Sequence, residues 1–223
     1  MADADFVVQT RDSYDTLASD YGAWLYDELA AKPLDRALLN GFAELVQSAN
    51  AGPVADLGCG TGRVTDYLRR LGLSVFGVDL SPQMIEVARQ MYPDSRFDVG
   101  AMTELDVDNG SLSGIVAWYS IIHIPTEHLP EVFAEFNRVL APGGYVQLAF
   151  QAGEGVLHRS QAGGHPVSLD FHQRQPDQVI NLLHSAGLIA RVQVLREPDE
   201  DGKFKEDTPQ AFVLARKRAP LKS

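Results

Sequence analysis

Five residues between positions 56 and 79 have types and spacing that could bind a charged ligand. Three glycines alternate at Gly58, Gly60 and Gly62, and glycine lets a ligand approach the backbone closely. Asp56 stands two residues before them, and Asp79 lies 17 residues beyond the last one. The segment after the glycines is a predicted helix, whose free amide groups and positive dipole end attract anions. This spacing predicts a ligand site that offers negative charge from the two aspartates and positive charge from the helix N-terminus.

The residues around the glycines discriminate between nucleotide-type ligands. A phosphate-binding loop needs Gly-Lys-Ser/Thr, which the chain lacks. A dinucleotide loop would place its third glycine at position 63, where Arg63 stands. The Asp56 carboxylate suits an ammonium group and repels a pyrophosphate. We therefore expect an adenosyl ligand carrying an amino acid, with Asp79 on its ribose; the open alternative is that Asp79 only caps the helix at Ser81.

Strands and helices alternate along the region that must position these residues. The predicted helices span 9–31, 33–48, 63–70, 81–91, 126–140 and 176–186. The predicted strands span 54–57, 74–79, 96–99, 112–119, 145–150, 188–195 and 210–215. This alternation predicts a doubly wound, mainly parallel sheet with helices on both faces. The loop 196–209 has no room for a crossover helix, so the last two strands should pair antiparallel.

Composition and charge exclude several classes of partner. The 223-residue chain has 30 acidic and 19 basic residues, a net charge of -11, which disfavours nucleic acid. Its basic cluster, 216–218, is interpreted as a solvated tail. The longest apolar run, 115–122, is too short for a bilayer. The acidic start Met1–Asp5 lacks the basic residues of a signal peptide. We expect a cytoplasmic protein without membrane partners.

At this point the sequence resembles the class I S-adenosylmethionine-dependent methyltransferases that act on small molecules. Residues 54–62, VADLGCGTG, match the family's first motif at essentially every position. Residues 77–81 match its acidic second motif, and residues 140–144 resemble the turn before its fifth strand. The resemblance covers 54–150 well and the remainder loosely. It implies a Rossmann-like fold, with a seven-stranded, mainly parallel sheet whose last strand is antiparallel.

The resemblance implies S-adenosylmethionine as cofactor and S-adenosylhomocysteine as product. Asp56 and the backbone of the glycine loop would hold the methionine part, Asp79 the ribose, and Leu80 with Met84 would flank the adenine. Many relatives carry Gly-Asp after the third strand, where this chain has Gly100-Ala101. Backbone groups of Ala101 and Met102 would then meet the adenine edge. The implied cofactor contacts are Tyr14, Tyr21, Asp56, Leu57, Gly58, Cys59, Gly60, Gly62, Asp79, Leu80, Met84, Ala101, Met102 and Trp118.

Two of these contacts come from the first helix. The resemblance implies that a tyrosine, Tyr14 or Tyr21, reaches the cofactor carboxylate, while the helix covers the site. The alternative is an aromatic stripe that packs in the core. Cys59 is expected to be packed rather than reactive. The implied domain plan is a single domain: a helical cap over 1–50, a cofactor-binding core over 51–150, an insertion over 151–175, and a C-terminal helix with antiparallel strands over 176–223.

The methyl acceptor should sit beyond the fourth strand, where Tyr119 and His123 are the candidate catalytic residues. A neutral histidine is the usual base near pH 7, although His123 could equally be a packing partner. This edge lacks the Asn/Asp-Pro-Pro-aromatic motif of enzymes that methylate DNA bases. The insertion is read as a loop whose side chains line the acceptor pocket or are solvated; these are His158, Arg159, His165 and His172. No spacing indicates a metal site.

The sequence therefore predicts methyl transfer to an oxygen, nitrogen or carbon atom of a small-molecule metabolite. A non-catalytic protein of the same fold that binds S-adenosylmethionine or S-adenosylhomocysteine is the alternative. A nicotinamide oxidoreductase is disfavoured by Arg63 and Asp56. The sequence leaves open whether the protein is a monomer or a homodimer.

Overall fold

The computed structural model describes residues 5–49 and 52–219. The start of the acidic N-terminus, 1–4, and the predicted boundary between the helical cap and the cofactor-binding core, at 50–51, lie outside these residues. The helices are α1 (Asp5–Leu25), α2 (Glu28–Ala31), α3 (Pro33–Ala49), α4 (Arg63–Arg70), α5 (Pro82–Met91), α6 (Leu129–Val139) and α7 (Pro176–Ser185). The strands are β1 (Val54–Leu57), β2 (Val75–Asp79), β3 (Arg96–Val99), β4 (Leu112–Trp118), β5 (Leu140–Gln151), β6 (Val156–Ala162), β7 (His165–His172), β8 (Leu188–Arg196) and β9 (Gln210–Lys217).

Seven strands form one sheet in the order β3-β2-β1-β4-β5-β9-β8. Strands β1 to β5 are mutually parallel, and β9 pairs antiparallel with both β5 and β8. Because both partners of β9 run opposite to it, β9 alone is reversed within the sheet. The predicted doubly wound, seven-stranded sheet with an antiparallel last strand is confirmed.

The two faces of the sheet are covered by different helices. On β4 every residue is buried, and its alternate side chains divide between two core clusters. Ile115 and Ala117 pack with residues of α6 and α7. Val116 and Trp118 pack with residues of α3 and α4. This double burial explains why β4 reads as a continuous apolar run in the sequence.

Local sequence signals set several of the helix boundaries. Ser81 caps α5, since its Oγ accepts a hydrogen bond from the Met84 amide at 3.0 Å, and Pro82 occupies the first helical position. The predicted single helix over 9–31 is interrupted at residues 26–27, where a turn separates α1 from the short α2. No helix in the described ranges combines the length and apolar character needed to cross a membrane.

The region 151–170 contains a β-hairpin, so the expectation of a loop insertion was wrong. Strands β6 and β7 form a separate two-stranded antiparallel sheet. Gly163 and Gly164, with φ of +54° and +86°, make the tight turn between them. Along β7, Val167, Leu169 and Phe171 alternate with polar residues and pack beside α1. The alternation of apolar and polar residues in these strands is hard to recognise in the sequence because glycines and histidines interrupt it.

The predicted solvated tail also belongs to the sheet. Arg216 and Lys217 lie in β9. Arg216 Nε donates to the Gly143 carbonyl at 2.9 Å, and Lys217 Nζ donates to the carbonyls of Asn137 and Leu140. These side chains fasten the last strand to the α6–β5 junction.

Helix α1 lies across the edge of the sheet at which the parallel strands end. The Ser13 hydroxyl accepts a hydrogen bond from the Ser168 amide at 2.9 Å and lies 3.2 Å from the Ser168 carbonyl. Asp15 accepts hydrogen bonds from the Ser81 hydroxyl, at 2.6 Å, and from the Gln83 amide, at 3.1 Å. Helix α1 is thus held on one side by the hairpin and on the other by α5.

Replacing Ser13 with alanine should lower the free energy of unfolding by about 1–3 kcal/mol, because the Ser168 amide loses its buried partner. Thr16→Ala is the matched control: it removes another hydroxyl from α1, which is exposed and bonds only within the helix. The control should shift stability by less than about 0.5 kcal/mol. Urea denaturation of the three proteins measures both values, and equal losses would contradict the docking role of Ser13.

Candidate functional site

A cavity lies beneath α1 at the carboxyl edge of the sheet. Its walls are the loop after β1, the ends of β2 and β4, the segment after β3 and one side of α1. All the predicted site residues line this cavity except Gly62 and Met84. Ligands of open α/β sheets bind at this edge, so the fold brings the sequence-predicted residues together where that rule expects them.

The glycine loop follows a path that other residues would obstruct. Gly58 has φ of +71°, and a Cβ there would lie 2.3 Å from the Cβ of Ser120. Gly62 has φ of +86°, and a Cβ there would lie 2.6 Å from the Phe97 ring. Gly62 therefore lies against Phe97 of β3 and does not face the cavity. Cys59 is 8% exposed beside Phe97, and burial raises the pKa of its thiol, as expected of a packed cysteine.

Met84 does not line the cavity, and the expectation that it flanks the adenine has no support in the structure. Its side chain is fully buried and packs with Leu17 and Ala18 of α1 and with Leu169 of the hairpin. Position 84 lies in the first turn of α5, where Cβ points back along the helix and under α1. Leu80, at the end of β2, does line the cavity.

Asp79 joins two segments of the cavity wall. Its Oδ2 accepts a hydrogen bond from the Gly60 amide at 2.7 Å, and its Oδ1 accepts one from the Ser81 amide at 2.9 Å. Burial raises the pKa of this carboxyl. Asp79 thus bonds the amide of Ser81, the residue that caps α5, and the Asp79 residue also lines the cavity. Each oxygen retains a lone pair with which it can accept a ligand hydroxyl.

Asp56 supplies a second buried carboxylate. It is 1% exposed, and its Oδ2 accepts a hydrogen bond from the Thr65 hydroxyl at 2.6 Å. Burial raises its pKa to about 6, against the opposing hydrogen bond from Thr65. Such a carboxylate lacks its hydration shell, so an ammonium ligand beside it would be strongly attracted.

Arg63 is a cavity residue that sequence reasoning used only to exclude a dinucleotide. It is the first residue of α4, lines the cavity and lies 3.2 Å from Glu28 Oε2 of α2. Its guanidinium adds a positive charge to the helix N-terminus. Its position directly after the glycine loop could have indicated this role from the sequence. The Arg63 guanidinium and the Asp56 carboxylate together match the two charges of an amino-acid group.

Tyr14 and His123 form a buried hydrogen-bonded pair. The Tyr14 hydroxyl lies 2.7 Å from His123 Nε2, and the Asp170 carbonyl lies 2.9 Å from His123 Nδ1. A carbonyl only accepts, so Nδ1 carries the proton and Nε2 accepts from Tyr14. Burial lowers the pKa of His123 to about 4, so the imidazole is neutral at pH 7. Tyr21 meets the Tyr14 ring edge-on at 5.6 Å, so both predicted phenols face the cavity.

The end of β4 carries polar atoms that have no protein partner. Trp118 Nε1, the Tyr119 hydroxyl and Ser120 Oγ are buried and unpaired among the described residues. All three residues line the cavity. Tyr119 has φ of +55°, an uncommon value for a non-glycine residue. Buried polar atoms without a protein partner commonly bond to a ligand or to ordered water.

The charged side chains of the hairpin stay outside the cavity. His158 pairs with Asp170 at 2.7 Å, and His165 with Asp20 at 2.9 Å. Arg159 lies over the outer side of the Phe171 ring. The hairpin histidines and Arg159 are absent from the cavity wall, so the expectation that they line an acceptor pocket is not supported. Within residues 5–49 and 52–219 no group of three or more His, Cys, Asp or Glu could hold a metal ion.

Comparison with known proteins finds similarity over the segment that supplies most of the cavity wall. Residues 54–144 match a family model described as "Methyltransferase domain". An uncharacterized methyltransferase of Mycobacterium tuberculosis is 36% identical over 105 residues, covering 46% of this chain and 41% of that protein. The malonyl-[acyl-carrier protein] O-methyltransferase of Pectobacterium atrosepticum is 30% identical over 141 residues, covering 63% and 54%. The demethylmenaquinone methyltransferase of Chlorobaculum tepidum is 34% identical over 92 residues, covering 41% and 37%.

A solved structure extends the likeness of fold to nearly the whole chain. Magnesium protoporphyrin IX methyltransferase from Synechocystis PCC 6803, with S-adenosylmethionine bound, superposes with a TM-score of 0.70 at 16% identity. The match covers 97% of this chain and 99% of that chain. By sequence, the chain spans only about two fifths to one half of the relatives above. The comparisons therefore show a methyltransferase domain over residues 54–144 and a methyltransferase-type fold over nearly the whole chain.

The depressed pKa of His123 should make folding depend on pH. Since the folded-state pKa of about 4 lies below the ordinary 6.5, the stabilisation is present above pH 6.5 and is lost as the pH falls toward 4. The wild-type advantage over His123→Asn should therefore shrink by about 3 kcal/mol between pH 7 and pH 4.

Denaturation of both proteins across this range measures the difference. Asp35 and Asp56, whose pKa values burial raises to about 6, act in the opposite sense in both proteins and cancel in the comparison. A difference that stays constant with pH would contradict a buried, neutral His123.

Proposed function

We propose that this chain, as a carrier of the methyltransferase domain, transfers a methyl group from S-adenosylmethionine to an oxygen, nitrogen or carbon atom of a small-molecule metabolite. The observation that carries the proposal is one cavity that holds both the charged glycine-loop wall and the neutral Tyr14–His123 pair. A cavity wall that only binds the cofactor would be enough for a binding protein. A neutral base in the same cavity is what an enzyme needs to remove a proton from the acceptor.

The residues present fit the cofactor by charge and by hydrogen bonding. In the proposed arrangement Asp56 binds the ammonium group and Arg63 the carboxylate. Asp79 accepts the ribose hydroxyls, and the adenine lies between Leu80 and the backbone of Ala101. The carbonyl of Ala101 already accepts the Glu104 amide at 3.3 Å, which orders this segment. The unpaired donors of Trp118 and Tyr119 are further candidate contacts.

When bound, S-adenosylmethionine supplies a methyl group on a positively charged sulfur atom. The side chains of the chain must orient the acceptor, exclude water and take up any proton that the acceptor releases. Tyr14 lines the cavity, and its hydroxyl donates to His123 Nε2. When the Tyr14 oxygen takes up a proton from the acceptor, the phenolic proton moves to Nε2 of His123. Nδ1–H of the imidazole meanwhile stays bonded to the Asp170 carbonyl.

The relatives support a small-molecule acceptor and leave its identity open. Their names refer to a malonyl-acyl carrier protein in one case and to demethylmenaquinone in another. The same type of domain therefore serves different acceptors. We also propose a cytoplasmic location, in keeping with the single cysteine.

The cofactor part of the proposal predicts micromolar binding, about -8 kcal/mol, of S-adenosylmethionine and S-adenosylhomocysteine. Asp79→Ala should weaken both by more than about tenfold, because the ribose hydroxyls and the Gly60 amide lose their acceptor. Asp98→Ala is the control, since Asp98 lies one strand away and pairs with Arg96 outside the cavity. Calorimetry that detects neither ligand on the wild-type protein would refute the cofactor assignment.

The base part of the proposal predicts a loss of turnover without a loss of cofactor affinity. Phenols, carboxylic acids and amines would be screened for release of S-adenosylhomocysteine. With an active acceptor, His123→Asn should lower kcat by about 10²–10⁴-fold and leave calorimetric cofactor binding unchanged. Tyr14→Phe should lower kcat in the same direction, because it breaks the proton path.

His158→Asn is the matched control, as His158 is exposed on the hairpin and absent from the cavity wall. Wild-type kcat in His123→Asn would rule out the base. Tight cofactor binding with no product from any acceptor would instead support the alternative, a non-catalytic binding protein of this fold.

A further inference from the structure

Arg174 is a buried cation that follows the hairpin. It lies between β7 and α7, is 1% exposed, and is among the largest fully buried side chains. Within residues 5–49 and 52–219 no carboxylate forms a direct ion pair with it, and Glu127 acts on its charge only at longer range. A buried guanidinium without a carboxylate in direct contact is costly unless other polar groups surround it. The polar groups that surround the Arg174 guanidinium therefore indicate its role.

The guanidinium binds the turn that carries His123. Arg174 Nη1 donates to the Ile121 carbonyl at 3.1 Å, and Nη2 donates to the Ile124 carbonyl. Arg174 Nε donates to the Thr126 hydroxyl at 3.2 Å. Within the three-residue 3-10 helix, Ile121–His123, the Ile121 carbonyl also accepts the Ile124 amide at 3.1 Å. Arg174 adds donors to the carbonyls of Ile121 and Ile124 and thereby holds this short turn on both sides of His123.

Arg174 is itself fastened to both neighbouring structures. Its Nη1 also donates to the carbonyl of His172, at the end of β7, at 3.3 Å. Its backbone amide donates to the carbonyl of Gln151, at the end of β5, at 3.2 Å. The side chain therefore connects the His123 turn with the hairpin and with the main sheet.

This connection matters because the two partners of His123 lie on separate segments. Nε2 needs Tyr14 of α1, and Nδ1 needs the Asp170 carbonyl of β7. Hydrogen bonds tolerate only a few tenths of an ångström and limited rotation. The turn must therefore stay fixed relative to β7, and Arg174 joins the two in addition to the contact between the rings of His123 and Phe171.

We propose that Arg174 is a positioning residue that fixes the tautomer and orientation of the His123 imidazole. The inference rests on the proposed function only for its effect on turnover. The charged and titratable groups that face the imidazole are Tyr14 from α1, Asp170 and His172 from β7, and Arg174 itself. Loss of Arg174 releases the turn, and His123 then loses the simultaneous contact with Tyr14 and Asp170.

Arg174→Met tests the proposal with Arg138→Met as the matched control. Arg138 also binds backbone carbonyls, those of Leu105 and Val107, but it holds the segment before β4. The long-range proton–nitrogen correlation spectrum of the imidazoles reports the tautomer of His123 without any acceptor. Calorimetry reports affinity for S-adenosylhomocysteine, and product release reports kcat.

In Arg174→Met, the Nδ1-protonated signature of His123 should be lost and kcat should fall by about 10²-fold, with unchanged affinity for S-adenosylhomocysteine. Arg138→Met should keep the wild-type His123 spectrum. Arg174→Lys, which keeps the charge but not the planar fork, should restore part of the signature, and it decides the matter if the methionine variant does not fold.

A wild-type His123 spectrum in Arg174→Met, or the same change in Arg138→Met, would overturn the proposal. If the wild-type protein methylates no acceptor, the proposed function fails while the spectrum still decides the role of Arg174.

Discussion

One imidazole joins the three parts of the molecule that enclose the cavity. His123 follows β4 of the main sheet, accepts a hydrogen bond from Tyr14 of α1 and donates one to the Asp170 carbonyl of the hairpin. Burial favours the neutral ring, and a neutral ring that bonds the Asp170 carbonyl carries its proton on Nδ1 and accepts from Tyr14 at Nε2. The ring that joins α1 and the hairpin to the sheet edge is therefore held in the neutral form that a general base requires.

The acidic residues of the cavity have structural and chemical roles at once. Asp79 orders the glycine loop through the Gly60 amide, and Asp56 is held by the Thr65 hydroxyl. Neither set of bonds exhausts the lone pairs of the carboxylate. Burial raises the pKa of both groups, which means that their charged forms are stabilised incompletely by the protein. A ligand that supplies an ammonium group or hydroxyls can donate to the carboxylate lone pairs of Asp56 and Asp79 that the protein leaves without a partner.

The parts of the site that lie within a few residues of one another were predictable. The loop from Asp56 to Gly60 and the carboxylate of Asp79 line the cavity because local strand and helix signals fix their places. Met84 was misplaced, since its first-turn position in α5 directs it under α1. The hairpin was missed because its strands are half exposed, and glycines with histidines obscure their alternation.

The sequence by itself determined the doubly wound sheet, its reversed strand β9 and the first wall of the cavity. These features follow from short-range periodicity, glycine conformation and the length of loops. Only the tertiary structure decided that Tyr14 meets His123, 109 positions away, and that Arg174 holds the turn between them. Such contacts depend on how α1 and the hairpin settle on the sheet edge. No local pattern encodes a hydrogen bond between segments that meet only after folding.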